Sequence, residues 1–147
     1  MAEIRRATTS DAESLLPMIR ELFRDESIAW DLARTRAGLV KLLDDAELGR
    51  VLVATHEGHA CGYAIVTWGY DLEFAGRDCF LTEIYVAPEQ RGRGVGRDLL
   101  AAIEHNAREA GAGAVHLQVR PDNPTARELY HRAGFQPSPR IFLSKTL

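Results

Sequence analysis

The stretch from Phe80 to Arg108 constrains the fold of this chain more than any other part of its sequence. It combines an apolar segment typical of a buried strand, a turn rich in glycine and arginine, and an amphipathic helix. Three alternate glycines, Gly92, Gly94 and Gly96, let the backbone approach a ligand without an intervening Cβ atom. The amides at the start of the helix are unpaired and partly positive, and neighbouring arginines add charge. The stretch therefore predicts a site for a phosphate group.

Two common phosphate-binding motifs do not match this turn. A Walker loop requires a glycine-rich loop that ends in Gly-Lys-Ser/Thr, and the sequence contains none. A dinucleotide fingerprint requires G-x-G-x-x-G/A, but the sixth position is Arg97 when counted from Gly92 and Leu99 when counted from Gly94. The turn also lies in the middle of the chain, after a predicted hairpin rather than after a first strand. Neither motif therefore explains the turn.

The pattern of apolar residues predicts an α/β protein that forms one domain over residues 1–147. A short strand at Glu3–Ala7 precedes two helices. The first starts near Asp11 with a capping box of Ser10 and Glu13, and the second covers Asp31–Asp44. The later elements are, in order, strands at 51–55, 61–68 and 79–86, a helix at 94–110, a strand at 115–119, a short helix from Pro124 and a last strand at 141–144. The order β-α-α-β-β-β-α-β-α-β predicts a mixed sheet with helices on both faces.

Composition limits the classes of protein to which the chain can belong. Its 147 residues carry a net charge of -3, whereas a general nucleic-acid binder is usually basic, so no nucleic-acid partner is expected. No apolar run approaches the length of about 20 residues that a membrane span needs, and the N-terminus lacks the apolar core of a signal peptide. The two cysteines, Cys61 and Cys79, fit a reducing compartment. We therefore expect a cytoplasmic protein without a disulfide or a membrane partner.

The turn and a second motif together resemble the GNAT superfamily of N-acetyltransferases. The first signature of that family, Gln/Arg-x-x-Gly-x-Gly/Ala between a strand and a helix, matches Arg91–Gly96. The second, an asparagine followed by Ala-x-x-Leu-Tyr and Gly-Phe, matches Asn123, Ala126–Tyr130 and Gly134–Phe135. The similarity of motifs covers Thr82–Phe135, and the order of elements agrees over nearly the whole chain. The chain is thereby identified as a member of this superfamily, which implies a mostly antiparallel central sheet.

The resemblance implies acetyl-CoA as the donor substrate and gives it a path along the chain. The pantetheine arm would run like an extra strand along Ile84, Tyr85 and Val86, where a bulge opens a V-shaped gap in the family's sheet. The amide of Tyr85 or Ile84 would bind the thioester oxygen as negative charge develops on it. Asn123 would hydrogen-bond the pantetheine arm, and Tyr130 would face the sulfur. The pyrophosphate would bind the backbone of the turn, which consists of Arg91, Gly92, Arg93, Gly94, Val95, Gly96 and Arg97.

Acetyl transfer to an amine needs a neutral amine, a stabilised oxyanion and a proton for the leaving thiolate. The resemblance makes Tyr130 the candidate general acid, and the alternative is a tyrosine that only packs against the core. Glu83 is the candidate base, acting directly or through a water molecule, and a strand-edge charge or an ion pair is the alternative. Side chains alternate along a strand, so only one of Thr82 and Glu83 can face the acceptor, and a bulge can change which one does. Direct transfer in a ternary complex is expected.

The acceptor site is harder to predict. In the family it is built from the first two helices, their connection and the loop before the central strand. Here those parts carry carboxylates beside aromatic residues, which suits a small cationic amine such as a polyamine, a diamine, a basic amino acid or an aminoglycoside. The alternative is a set of solvated loop charges with core aromatics. The residues expected at the acceptor site are Glu26, Trp30, Trp68, Tyr70 and Glu83.

Other functions stay open from the sequence. The span Tyr70–Val86 is similar to diamine and spermidine/spermine acetyltransferases, whereas Leu117–Arg120 with Asn123 is similar to enzymes that acetylate protein N-termini. A protein N-terminal or lysine acetyltransferase is therefore one alternative, and a non-catalytic module that binds CoA or a partner is another. Many relatives pair through sheet edges or C-terminal strands, so the resemblance implies a homodimer, for which Ile141–Leu143 is the candidate segment.

One group of side chains has the composition of a metal site. His56, His59 and Cys61 lie around a predicted hairpin turn, and no fourth ligand is near them in the sequence. We interpret them as solvated turn residues, so no metal is expected.

Overall fold

The computed structural model describes all 147 residues, and its centre is a five-stranded sheet. The strands lie in chain order across the sheet as β1 (Glu3–Arg6), β2 (Gly49–His56), β3 (His59–Asp71), β4 (Gly76–Val86) and β5 (Val115–Leu117). Neighbours from β1 to β4 are antiparallel, and only β4 and β5 run parallel. The predicted mixed, mostly antiparallel sheet is confirmed.

Helices cover both faces of this sheet. They are α1 (Ala12–Asp25), α2 (Leu32–Asp44), α3 (Val95–Glu109) and α4 (Pro124–Arg132). Alternation along the strands sends successive side chains into two separate cores. Val53 and Tyr63 pack in the core beneath α1 and α2, whereas Leu52 packs with Leu99 and Ile103 in the core beneath α3. No helix combines the length and the apolar composition that a membrane crossing needs.

The start of α1 is capped by other residues than the sequence predicts. A short 3-10 turn precedes the helix, and the Thr8 N–H donates to the Asp11 carboxylate over 2.8 Å. The predicted capping pair of Ser10 and Glu13 is not formed, because Glu13 lies inside the helix and forms an ion pair of 2.8 Å with Arg36 of α2. The cap thus lies two residues earlier than predicted, and Glu13 joins the two helices instead.

The hairpin of β3 and β4 is longer than predicted. The predicted strands at 61–68 and 79–86 leave residues 69–78 as a connection, but β3 continues to Asp71 and β4 begins at Gly76, with a 3-10 turn at Leu72–Phe74 between them. Tyr70 pairs with Arg77 in the added part of the ladder. This part carries few apolar side chains because it extends beyond the helices, so its strand structure has no alternating hydrophobic signal.

The last predicted strand, at Ile141–Ser144, is not formed. Residues after Arg132 adopt neither helix nor strand, and Ile141 and Leu143 are each 86% exposed. Two prolines at positions 137 and 139 fix the backbone just before this segment and remove two donors for a ladder. The outer edge of β5 therefore carries no strand from this chain, and the observed order ends at α4.

A bulge in β4 determines the geometry of the site. Ile65 of β3 pairs with Glu83, but the next residue, Val66, pairs with Leu81, so Thr82 is an extra residue in β4. The parallel neighbour β5 ends at Leu117, opposite Leu81. Beyond the bulge, β4 has a neighbour on one side only, and a V-shaped gap opens there. The bulge and the gap are those that the family resemblance implies.

Candidate active site

A cleft of about 1170 Å³ occupies the gap beside β4. It is lined by the open edge of β4, by the glycine-arginine turn and by α4. The structure brings eleven of the twelve predicted donor-binding residues together in its lining: Ile84, Tyr85, Val86, Arg91, Gly92, Gly94, Val95, Gly96, Arg97, Asn123 and Tyr130. The remaining one, Arg93, is exposed and lies outside the lining. We call this space the donor cleft.

The turn presents an unusual run of unpaired backbone amides. Gly92 and Gly94 adopt φ angles of 75° and 86°, in the left-handed region that glycine enters without strain. None of the N–H groups from Gly92 to Arg97 donates a hydrogen bond within the protein. A Cβ atom on Gly96 would lie 3.2 Å from Leu129 Cδ2, so glycine allows α3 to approach α4. This geometry forms a concave anion site at the N-terminus of α3.

The arginines of the turn are partly engaged by the protein itself. Arg91 Nε donates to the Val86 carbonyl over 2.8 Å, and its guanidinium lies 5.5 Å from the centre of the Tyr85 ring. Arg97 forms an ion pair of 3.0 Å with Asp98. Arg91 therefore fastens the turn to β4, and the backbone amides are the unpaired donors at this end of the cleft.

The bulge also determines which amide of β4 faces the cleft. The Ala87 N–H donates to the Cys61 carbonyl on β3 over 2.8 Å, whereas the Val86 carbonyl points to the other side, toward Arg91. Backbone groups alternate in direction along a strand. The N–H of Tyr85 therefore points to β3, and that of Ile84 points to the open edge. Of the two predicted candidates for the oxyanion donor, Ile84 has the suitable orientation.

Two side chains of the second motif lie at α4. Asn123 caps this helix, since its side-chain oxygen accepts a hydrogen bond of 3.1 Å from the Ala126 N–H. Its side-chain nitrogen has no hydrogen-bond partner within the protein. Tyr130 packs edge-on against Phe135, and burial, followed by the charge of Glu26, raises the pKa of Tyr130 above its usual value. The Tyr130 hydroxyl therefore stays protonated at neutral pH, as a general acid requires.

A second cavity, of about 490 Å³, lies on the other side of β4 beneath α1 and α2. Glu83 and Ile65 of the sheet form its floor, and residues of α1, of α2 and of the connection between them form its walls. Glu83 faces these helices, and Thr82 is exposed with its hydroxyl donating to the Ile65 carbonyl over 3.3 Å. Of Thr82 and Glu83, only Glu83 thus reaches this space, which we call the acceptor cavity.

Glu83 is a half-buried carboxylate with one polar partner. The hydroxyl of Tyr63, which is fully buried, donates a hydrogen bond of 2.8 Å to Glu83 Oε1. Burial raises the pKa of Glu83, and the hydrogen bond from Tyr63 opposes part of that rise. A carboxylate with a raised pKa is a better base near neutral pH. Sequence reasoning missed Tyr63, whose only signal is a polar hydroxyl inside an otherwise apolar strand.

The predicted acceptor residues do not all lie together. Glu26 lines the donor cleft rather than the acceptor cavity. Trp30 stands behind the wall of the acceptor cavity, where its ring contacts Phe23 edge-on with centroids 5.7 Å apart. Phe23 in turn lines the cavity. Only Glu83 among the five predicted residues therefore faces the acceptor cavity directly.

Trp68 and Tyr70 lie away from both cavities. Alternation along β3 places Trp68 with the core beneath α3, on the opposite face of the sheet from Glu83. The guanidinium groups of Arg50 and Arg77 lie 5.4 and 5.3 Å from its ring. Tyr70 is 75% exposed on the extension of the hairpin. Their predicted place at the acceptor site depended on a loop that begins after residue 68, but β3 continues there to Asp71.

The sequence as a whole matches the acetyltransferase (GNAT) family over residues 16–135. It is 32% identical over 136 residues to YhfO, an uncharacterised N-acetyltransferase of Bacillus subtilis, covering 90% of this chain and 89% of that protein. It is 30% identical over 138 residues to the aminoalkylphosphonate N-acetyltransferase of Salmonella typhimurium, covering 94% and 87%. The chain therefore belongs to the GNAT family and is an acetyl-CoA-dependent N-acetyltransferase.

The fold agrees with solved structures of this class. The structure of AAC(6')-Iy in complex with the bisubstrate analogue CoA-S-monomethyl-acetylneamine has a TM-score of 0.86 to this chain. The two share 20% sequence identity, and the match covers 100% of this chain and 99% of the other. At this level of identity the likeness concerns the fold, and the acceptor has to be inferred from the residues of this chain.

Proposed function

We propose that this enzyme transfers the acetyl group of acetyl-CoA directly to a small cationic primary amine while both substrates are bound. This proposal rests mainly on one observation: the two cavities are adjacent at three consecutive residues of β4. Glu83 lines the acceptor cavity, and Ile84 and Tyr85 line the donor cleft. An amine on one side and a thioester on the other are thereby held next to each other.

The donor cleft suits acetyl-CoA along its whole length. The unpaired amides from Gly92 to Arg97 would hold the pyrophosphate. The pantetheine arm would pair with the open edge of β4 at Ile84 and Val86, and the side-chain nitrogen of Asn123 would donate to it. Tyr130 would lie beside the sulfur. The edge of β4 and the amides of the turn offer the hydrogen-bond partners that such an extended anionic ligand needs.

Each group then has one chemical task. The acceptor ammonium gives a proton to the Glu83 carboxylate, directly or through a water molecule. The amine nitrogen attacks the thioester carbon, a C–N bond forms, and the Ile84 N–H stabilises the oxyanion. The C–S bond breaks, and the sulfur takes the proton of the Tyr130 hydroxyl. The nitrogen releases its second proton to solvent, Glu83 releases the proton that it accepted, and Tyr130 regains one, so the balance is one amide, one thiol and one proton.

Direct transfer is supported by the state of the two cysteines. Cys61 and Cys79 are only 5% and 1% exposed, and neither lines the donor cleft or the acceptor cavity. Burial raises the pKa of both thiols, that of Cys79 to about 11. A thiolate nucleophile that would carry the acetyl group is thus disfavoured.

A small acceptor is supported by the size and charge of the acceptor cavity. Its volume of about 490 Å³ is in the range of small-molecule sites. Its floor carries the Glu83 carboxylate, which attracts an ammonium group. The relative from Salmonella is named for an aminoalkylphosphonate, which is itself a small amine. A protein N-terminus or a lysine side chain is the alternative acceptor.

A thiol-release assay with acetyl-CoA tests this function. The panel comprises polyamines, diamines, amino acids, aminoglycosides, and peptides that offer either an N-terminus or a lysine. We expect thiol release with small amines and none with the peptides. Release with peptides alone would favour the protein acetyltransferase. Binding of CoA in calorimetry without release over the whole panel would favour a non-catalytic module.

We also propose that the enzyme is a cytoplasmic homodimer. Two free, buried cysteines suit a reducing compartment. No strand of this chain pairs with the outer edge of β5, and the exposed residues Ile141, Phe142 and Leu143 follow α4 as a candidate contact. Light scattering should give the mass of two chains, and truncation after Gln136 should give the mass of one. A single-chain mass for the intact protein would contradict the dimer.

A further inference from the structure

We propose that the acceptor carries an anionic group, a carboxylate or a phosphonate, in addition to its primary amine, and that Arg34 binds this group. The inference rests on the proposed function, because it assigns the acceptor cavity to the amine substrate. It narrows the acceptor from cationic amines in general to small molecules that are positive at one end and negative at the other.

Arg34 lies in the wall of the acceptor cavity on the first turn of α2. Asp31, Arg34, Thr35 and Gly38 all line the cavity, and their spacing of three, four and seven residues places them on one face of the helix. The side chain of Arg34 thus lies on the face that α2 turns to the cavity. Arg36 does not line the cavity and is held by Glu13 of α1.

The guanidinium of Arg34 has no partner within the protein. The Arg34 side chain takes part in no ion pair and in no hydrogen bond. The backbone N–H of Arg34 donates to the Asp31 carboxylate over 3.0 Å. The Asp31 carboxylate acts there as the N-cap of α2. Arg34 is also the third residue of the helix, so the partial positive charge of the helix N-terminus adds to its own. An anion beside Arg34 would be stabilised by both.

The guanidinium of Arg34 and the carboxylate of Glu83 lie on different parts of the cavity lining. Glu83 lies on the floor in the sheet, and Arg34 lies on the wall in α2. The lining is otherwise mostly apolar, with Ile19, Phe23, Ile28, Ala29, Leu39, Leu42 and Ile65. An aliphatic chain with an ammonium at one end and an acid group at the other complements this distribution. A polyamine would place a second positive charge near Arg34, which is unfavourable.

Matched pairs of acceptors test this inference. The pairs are 4-aminobutyrate with butylamine, 3-aminopropylphosphonate with butylamine, and lysine with cadaverine, which differ by the anionic group. We expect the wild-type kcat/KM to favour the anionic member of at least one pair by about tenfold or more, the effect of one charge-assisted contact. Arg34→Gln should remove this preference while butylamine, which has no group near Arg34, keeps its rate within about twofold. Arg34→Lys should retain part of the preference.

Two controls separate a binding role from a structural one. Arg36→Gln alters a neighbouring arginine outside the cavity and should leave the preference unchanged. Calorimetry should give the same acetyl-CoA affinity for Arg34→Gln and for the wild type, because Arg34 lies outside the donor cleft. Equal rates for both members of every pair, or an equal loss for both members in Arg34→Gln, would overturn this inference and leave the proposed function in place. Absence of thiol release with every amine would overturn both.

Discussion

The donor cleft and the acceptor cavity lie on the two sides of one strand, but the first is formed mainly by backbone groups and the second mainly by side chains. The donor cleft depends on backbone: unpaired amides from Gly92 to Arg97, left-handed glycines and the open edge of β4. The acceptor cavity depends on side chains, with Glu83 on its floor and Arg34 on its wall. A site made of backbone requires glycine at fixed positions, whereas a site made of side chains can change its ligand by substitution.

The largest expected effect is a loss of acetyl-CoA binding in the donor cleft, which is formed mainly by backbone groups. In Gly94→Glu a carboxylate would enter the anion site, and the added Cβ atom would lie 3.1 Å from the Arg97 guanidinium. We expect acetyl-CoA binding to disappear in calorimetry. Gly58→Glu is the matched control, since Gly58 has a φ of 77° in the β2–β3 hairpin with open space around it. Both variants carry a strain of about 1–3 kcal/mol, so equal losses would contradict the anion site.

The next effect concerns the floor of the acceptor cavity. Glu83→Gln removes the proposed base but keeps the shape of the side chain, so turnover should fall by about a hundredfold or more. The affinity for acetyl-CoA should stay unchanged, because Glu83 does not line the donor cleft. Glu57→Gln, in an exposed hairpin turn, serves as the control. A loss of donor affinity in Glu83→Gln would mean that the two sites are not separate.

A smaller loss is expected at Tyr130, the proposed general acid. Tyr130→Phe should lower turnover by about tenfold or more without abolishing it, because orientation of the substrates alone supplies about 7–11 kcal/mol. Calorimetry should give nearly unchanged acetyl-CoA affinity. Tyr70→Phe changes an exposed tyrosine on β3 and should have no effect. Unchanged turnover in Tyr130→Phe would remove this residue from the mechanism.

The smallest effect is a change in pH dependence. The rate should fall with falling pH as Glu83 becomes protonated, at a pH above the ordinary glutamate value of 4.5, because burial raises its pKa. The hydrogen bond from Tyr63 lowers that pKa, so Tyr63→Phe should move the acidic limb of kcat/KM to higher pH. An unmoved limb would mean that Glu83 is not the group that titrates.

The contrast also explains how much of the site could be predicted from sequence. The glycine turn could be predicted from the sequence, because Gly92 and Gly94 occupy backbone conformations that few other residues adopt. The choice between Ile84 and Tyr85 as the oxyanion donor could not be predicted from the sequence. It depends on the extra residue at Thr82, which reverses the direction of every later amide in β4. A bulge leaves no composition signal in a strand of this kind.

The residues of the acceptor cavity were predicted least well from the sequence. Trp68 ends a predicted strand beside a predicted loop, but the hairpin continues beyond it and its ring packs with the core beneath α3. Tyr63 and Arg34 were missed, since their importance comes from what lies opposite them: Glu83 across the sheet and an open cavity beneath α2. The strand predicted at Ile141–Ser144 failed because a local pattern cannot show whether a partner strand is in reach.

We propose that donor and acceptor are bound together on the two sides of Glu83, Ile84 and Tyr85. Initial rates over a matrix of acetyl-CoA and amine concentrations test it most directly, with the best acceptor of the panel. Simultaneous binding predicts double-reciprocal lines that intersect. Parallel lines, which indicate that CoA leaves before the amine binds, would contradict direct transfer and require an acetylated enzyme.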